Sequence, residues 1–410
     1  MAMQAHAKQQ NVQTQEKTLY RILLIIGFVH LLNDAIQALV PAMFPILEQS
    51  MGLSFTQLGI IAFALNITSS LIQPVIGLYT DKKPSPYALP IGLCFTFFGV
   101  LGLAFAPSFW YVVLSVIFIG LGSATFHPEG SRVAYMAAGK RRGMAQSIYQ
   151  VGGNAGQAMA PLITALILVP LGQFGAIWFT IIAALAIGLL VYIARWYSAQ
   201  IIAIAKRPQT NKAAVKLSPA HRKMVVFAIC LLIFLVFARS WFHAGITNFF
   251  AFYIIEKFSL TIAQAQGYIF VFLLAGAIGT FAGGPLADRF GKRNMIMLSM
   301  LASAPLALVL PYASPIATYF LLGVIGFIIL SSFSVTVVYA QVLIPGKIGT
   351  VSGLIIGLAF GMGAIGSVAL GWFADHFGLT NTMLFTVALP LIGILSFFLP
   401  ADQKLDEMNG

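Results

Sequence analysis

Twelve predominantly apolar stretches, most of them about as long as the 20 residues a helix needs to cross a bilayer core, recur along the chain. They fall at 19–48, 55–79, 87–106, 110–138, 144–168, 175–197, 221–256, 261–287, 294–312, 315–343, 350–374 and 380–400. Inside hydrocarbon every backbone amide must find its partner within its own segment, so these stretches are predicted to be helices and an open sheet is excluded. Only 8% of the 410 residues are charged and 59% are apolar, where a soluble domain carries roughly a quarter charged residues. Soluble enzymes, nucleic-acid-binding domains and disulfide scaffolds are therefore excluded. The expected fold class is an all-α membrane protein with twelve transmembrane helices. The apolar run that follows the Gln-rich first 18 residues holds Asn33 and Asp34. A cleavable signal has a short core without acids, so the reading is an uncleaved first helix behind a disordered tail, 1–18. Cys94 and Cys230 lie inside apolar runs, where thiols act as small hydrophobes, and no spacing of residues along the chain suggests a metal site.

Basic residues fix the direction of the helices. Twenty of the Lys and Arg residues, among them Lys82, Lys83, Lys140, Arg141, Arg142, Arg289, Lys292, Arg293 and Lys347, fall on the two tails or on even-numbered connections. The opposite connections hold only Lys257. By the positive-inside rule both termini are expected to be cytoplasmic. The net charge of +12 is then a matter of topology, with anionic lipid headgroups rather than nucleic acid as the partner.

The longest connection, 198–220, is polar and basic and contains Pro208 and Pro219. It divides the chain into an N-terminal six-helix bundle, 19–197, and a C-terminal one, 221–400, with 401–410 as a second cytoplasmic tail. Internal repetition supports the division. Gly77-Leu-Tyr-Thr-Asp81 after helix 2 corresponds to Gly284-Pro-Leu-Ala-Asp288-Arg289-Phe-Gly291-Lys292-Arg293 after helix 8, and Gly52-Leu-Ser before helix 2 corresponds to Phe258-Ser-Leu-Thr before helix 8. Both copies of the first motif lie on the same side, so the bundles are expected to be parallel repeats.

The loop Gly284–Arg293 resembles the signature of the major facilitator superfamily. Within it the whole chain is similar to the fosmidomycin resistance proteins, bacterial inner-membrane exporters. The matching stretches are His30-Leu-Leu-Asn-Asp34, Phe126-His-Pro-Glu-Gly-Ser-Arg132, Gln146–Asn154, Arg195–Gln200, Tyr339-Ala-Gln341 and Gly349–Gly353. Two departures stand out: Pro84 replaces a glycine in the first signature loop, and Val116 stands where many drug antiporters have an arginine on helix 4. The resemblance implies the major facilitator fold, with helices 1, 4, 7 and 10 lining a central cavity. It also implies export of fosmidomycin-like phosphonates and other small antibiotics by a multi-pass protein of the bacterial inner membrane. Monomer is the default oligomeric expectation.

An ionisable side chain at the centre of a membrane helix costs about 2.5–3.5 kcal/mol on insertion scales. His30 and Asp34 on helix 1, Glu129 and Arg132 on helix 4, and Arg239 and His243 on helix 7 form three such pairs, each on one helix face, with His127 beside Pro128 on helix 4. Ser331, Ser332, Ser334, Thr336 and Tyr339 add polar groups on helix 10. The expected proton-coupling residues are Asp34, Glu129, His30 and His127, and the expected substrate-binding residues are Arg239, His243, Arg132, Ser334 and Tyr339. Guanidinium suits phosphonate because its planar fork donates two hydrogen bonds. Gly284, Asp288, Arg289, Gly291, Lys292, Arg293 and Asp81 are expected to form the conformational loops. Purely structural ion pairs, such as Asp34 with Arg239, and an Arg132 that snorkels to the lipid surface remain open at this point. The Gly-rich faces of helices 5 and 11 are expected to meet at the seam between the bundles. No nucleotide-binding loop is present, so the expected energy source is a proton gradient, with no cofactor and no metal. An organic-phosphate exchanger or importer, or an exporter of an endogenous metabolite, is the alternative.

Overall fold

A computed structural model describes residues 18–139, 142–205, 219–344 and 348–403. Among these, eleven continuous helical stretches are long and apolar enough to cross a membrane. The last, Gly357–Phe398, is broken at Gly378, whose φ of +82° favours glycine, so the helices number twelve. They are α1 (Tyr20–Ala42), α2 (Phe55–Lys82), α3 (Ala88–Phe105), α4 (Phe109–Ala137), α5 (Arg142–Ile163) and α6 (Trp178–Ala205). In the second half they are α7 (Pro219–Phe258), α8 (Ile262–Phe290), α9 (Lys292–Val309), α10 in two pieces (Pro315–Leu330 and Phe333–Leu343), α11 (Ile348–Phe377) and α12 (Leu379–Ala388, continued by a 3₁₀ segment Leu389–Phe398). Large apolar side chains such as Leu166, Ile181, Phe281 and Phe320 stand exposed. So broad an exposed apolar surface is foreign to soluble monomers and normal for one facing lipid.

The repeat read from the sequence has a structural counterpart. Ser54 caps α2 and Thr261 caps α8, and each makes a capping box with a glutamine three residues on, Gln57 and Gln264. Some boundaries differ from expectation. Helix α6 continues through Ala205 and α7 starts at Pro219, because 198–205 is mostly helix-compatible apolar sequence; residues 206–218 lie outside the described ones. Of the expected C-terminal tail, Asp402 docks on the start of α9, bonding to the Arg293 backbone at 3.3 Å and standing 3.7 Å from Lys292 Nζ. The tail 1–17 and the side chain of Asp81 lie outside the described residues.

Between the halves, α2 packs on α11 and α5 on α8. The expected meeting of α5 with α11 is corrected: the α5 glycines serve α1 in their own half. A Cβ on Gly152 would stand 2.0 Å from the Gly27 carbonyl oxygen, and one on Gly156 would stand 2.2 Å from that of Leu31. At both points α1 and α5 approach too closely for any side chain.

At the end opposite the chain termini the halves share one apolar cluster. It runs from Ile36 of α1 to Leu65 of α2 and takes in Phe252 of α7, Ala374 of α11 and Leu379 of α12. Every hydrogen bond between described residues of the two halves lies at this end. Gln266 donates to the Ala42 carbonyl, and Asp375 accepts from the backbone N–H groups of Phe55 and Thr56 and from the Thr56 hydroxyl. Towards the termini the cores are separate, one within α1–α6 and one within the second half. Among the described residues, the halves are thus joined by hydrogen bonds and by a shared apolar cluster at the end opposite the termini.

Candidate functional site

The first polar centre is built on α1. Asp34 is buried, one turn after His30, and its Oδ2 lies 3.4 Å from His30 Nε2. From α4, His127 brings its Nε2 to 3.7 Å from Asp34 Oδ1; it precedes Pro128, which lies inside that helix. Two amides complete the shell: Asn33 donates to Oδ1 at 3.0 Å and Gln157 of α5 to Oδ2 at 3.1 Å. His30 is held from behind, with Nδ1 2.7 Å from the Tyr149 carbonyl oxygen and its ring stacked on Tyr149 at 4.1 Å between centroids. Gly153 makes room for the pair, since a Cβ there would stand 2.5 Å from His30 Nε2 and 2.9 Å from Asp34 Oδ2. Among the described residues no Lys or Arg pairs with Asp34, so the only basic groups beside this buried carboxylate are imidazoles.

A second centre lies on the other side of α4. Glu129 is completely buried and accepts from Tyr197 of α6 at 3.0 Å, while Arg132 Nε stands 3.5 Å from it. Arg132 also donates to the carbonyl and hydroxyl oxygens of Thr80 on α2, at 2.8 and 3.3 Å. The guanidinium is thus turned into the bundle and does not reach out to the lipid surface. Glu129 and Asp34 share no bond; the two carboxylates belong to different networks.

The third centre is in the C-terminal half. Arg239 of α7 is 6% exposed and donates to the Ser332 and Thr336 hydroxyls at 3.1 and 3.2 Å, with its guanidinium 5.3 Å from the centre of the Phe333 ring. Helix α10 breaks at Ser331-Ser332, and the break aims these hydroxyls at the arginine; Ser299 of α9 donates to Ser332 in turn, at 2.7 Å. No carboxylate pairs with Arg239 among the described residues, so the expected alternative of an Asp34–Arg239 ion pair is absent there. His243, one turn further along α7, lies with its ring 5.8 Å from that of Phe272.

Two expected members of this centre are placed elsewhere. Ser334 donates to the Thr280 carbonyl of α8 at 3.4 Å, and the Tyr339 hydroxyl donates to the Pro400 carbonyl at 2.7 Å. Their positions on α10 point them at α8 and at the end of α12, whereas Ser332 and Thr336 turn towards α7. In the signature loop, Gly291 has a φ of +86° and ends α8. Arg293 donates to the Phe397 carbonyl, Arg289 lies over Phe290, and no side chain or backbone atom crowds Gly284. Asp288 is exposed and has no ion pair or hydrogen bond among the described residues.

Gln157, Asn33 and Tyr149 were not among the expected site residues. The sequence does carry a signal for Asp375, because Gly371-Trp-Phe-Ala-Asp375-His-Phe-Gly378 has the spacing of Gly284–Gly291. It is a third copy of the signature, at the opposite face.

The Major Facilitator Superfamily model matches residues 23–357. An uncharacterised MFS-type transporter of Bacillus subtilis, YfnC, is 63% identical over the whole of both chains. The fosmidomycin resistance protein of Escherichia coli is 46% identical over 96% of each chain. Among solved structures, a bacterial homologue of the human lysosomal transporter Spinster, inward-facing and occupied, superposes with a TM-score of 0.76 at 16% identity, covering 96% of this chain and 99% of that one. With twelve apolar helices, buried charges in both halves and the family model matched over residues 23–357, the chain belongs to the Major Facilitator Superfamily: it is a multi-pass membrane transporter of small molecules, not an enzyme.

Proposed function

We propose that the chain is a proton-coupled antiporter of the bacterial inner membrane, exporting fosmidomycin-like phosphonates and other small drugs by alternating access. The observation that carries this reading is the separation of charge. Among the described residues, a buried cation without a carboxylate partner stands in one half, and in the other stands a buried carboxylate whose only basic neighbours are imidazoles. Hydroxyl groups solvate Arg239 but leave its charge uncompensated, so an anionic headgroup is the complement it lacks. Asp34, with His30 and His127, is the counterpart that loads and releases a proton. Each ligand thereby biases the equilibrium between the two orientations of the halves, as coupling requires. Glu129, Arg132 and Tyr197 are read as a bundle-locking network, with His243 bordering the anion site. The halves 19–197 and 221–400 rock about the α2–α11 and α5–α8 contacts. Both termini are cytoplasmic by the charge distribution, so the end at which Gln266 and Asp375 join the halves faces outward. The 46% identical relative is named for fosmidomycin resistance, and that supports the substrate class.

Everted membrane vesicles test this. With the lumen acidified, addition of fosmidomycin should raise the luminal pH in vesicles containing the protein and not in controls. Exchange that requires an organic phosphate inside the vesicle, with no proton movement, would replace antiport by anion exchange.

A further inference from the structure

Three nitrogen and oxygen atoms that could hold a metal ion converge at the α1–α4 contact: His30 Nε2, His127 Nε2 and an Asp34 carboxylate oxygen, all within 4.8 Å of one another. The sequence does not reveal them as a set, because the i,i+4 pair on α1 lacks its third member until α4 folds against it. We propose that His30, His127 and Asp34 form a binding site for a divalent transition-metal ion of the Zn²⁺ class, taken up in place of the proton.

Four observations support this. Ligand atoms around a tetrahedral ion with bonds of about 2.1 Å lie roughly 3.4 Å apart; here His30 Nε2 stands 3.4 Å from Asp34 Oδ2 and His127 Nε2 3.7 Å from Oδ1, with one atom of each residue inside 4.8 Å of the others, a spacing that a small inward shift would bring to the ion. His30 Nδ1 lies 2.7 Å from the Tyr149 carbonyl oxygen, which can only accept. Nδ1 therefore carries the hydrogen, and in the neutral ring the Nε2 lone pair points at the carboxylate. Such a backing of a ligand histidine by a carbonyl is the usual outer shell of a metal site. Two acceptors facing each other in a buried pocket are repulsive unless a proton or a metal ion lies between them, so the site favours one or the other. Finally, the donor set of two imidazoles and one carboxylate suits Zn²⁺ and its neighbours rather than Mg²⁺ or Ca²⁺, which prefer all-oxygen shells, and it leaves a fourth position for water. Because metal and proton would use the same lone pairs, each excludes the other.

The full-length protein, purified metal-free in detergent, is titrated with Co²⁺ and followed by visible absorption. One Co²⁺ per chain with the intense bands of a four-coordinate ion is expected. His127→Gln and Asp34→Asn should each weaken binding by at least about 10-fold, and His376→Gln, at the exposed end of α11, should not. Bands that persist unchanged in both site variants, or only the weak bands of a six-coordinate hydrated ion in the parent, would overturn the proposal. If a variant fails to fold, the parent's band intensity decides alone. Absence of binding leaves the antiport reading standing, whereas Co²⁺ that binds without slowing proton-driven export contradicts the assignment of the proton to this centre and leaves the metal site intact.

Discussion

Arg239 and Glu129 are both buried charges, but they differ in their partners. The Arg239 guanidinium has hydroxyl partners only, so replacing it strands no carboxylate. Arg239→Ala should cut equilibrium binding of phosphonates by about 10- to 150-fold, the worth of one charge-assisted hydrogen bond of about 1.5–3 kcal/mol. Thermal stability should be nearly unchanged, as calorimetry of the two proteins would show. Glu129→Gln should behave the other way. It removes the charge that stands 3.5 Å from Arg132 Nε and that accepts from Tyr197 in a fully buried position, and removal of one partner of a buried pair is strongly destabilising. The pair's partial exposure on the arginine side reduces the expected loss to about 1–3 kcal/mol. Proton coupling should survive in that variant; a pH-insensitive Glu129→Gln transporter of full stability would transfer the proton role from Asp34 to Glu129. The sequence made the ionisable residues themselves legible, since each violates the apolar pattern of its helix. Their partnerships were not, because spacing along one helix reports only in-helix neighbours. His30–Asp34 and Glu129–Arg132 could be read that way; Gln157, Tyr149 and the choice of Ser332 and Thr336 over Ser334 and Tyr339 depend on how neighbouring helices are rotated.

Among the elements, α2 and α11 carry the closure of the end opposite the termini. Asp375 ends α11 and accepts three hydrogen bonds from the first turn of α2 in the other half, a carboxylate at the positive end of a helix. Its counterpart in spacing, Asp288, is exposed without a partner among the described residues at the end of the termini. The engaged copy lies at the end where the described residues join the halves. Asp375→Ala should therefore release the closed end. Discounting for exposure, about 1–2 kcal/mol is at stake, or about a 5- to 30-fold shift towards the opposite orientation. In a cysteine-free background, Gln37→Cys should then react faster with a membrane-impermeant thiol reagent added from outside the cell. An unchanged rate would assign Asp375 to local capping alone. The twelve helices were legible from hydropathy, whereas the capping boxes at Ser54 and Thr261 showed in the sequence only as the repeated Gly52-Leu-Ser and Phe258-Ser-Leu-Thr segments. The seam was not: small residues on α5 mark close packing without saying against which helix, and the partner proved to be α1.

Over the whole molecule, the positive-inside distribution predicts cytoplasmic termini. A cysteine replacing Thr210 in the connection between the halves should label only from the cytoplasm, and labelling from outside would invert the direction of transport. In the proposed cycle an inward proton gradient drives an anionic drug outwards through separate charge centres in the two halves. Purified protein in liposomes tests this, with membrane potential clamped at zero, an acidic interior, and labelled fosmidomycin added outside to inside-out transporters. Accumulation above the external concentration is expected, collapsing when the pH gradient is dissipated and lost in Asp34→Asn although the drug still binds. Equilibration without accumulation, or accumulation in Asp34→Asn equal to that of the parent, would contradict it.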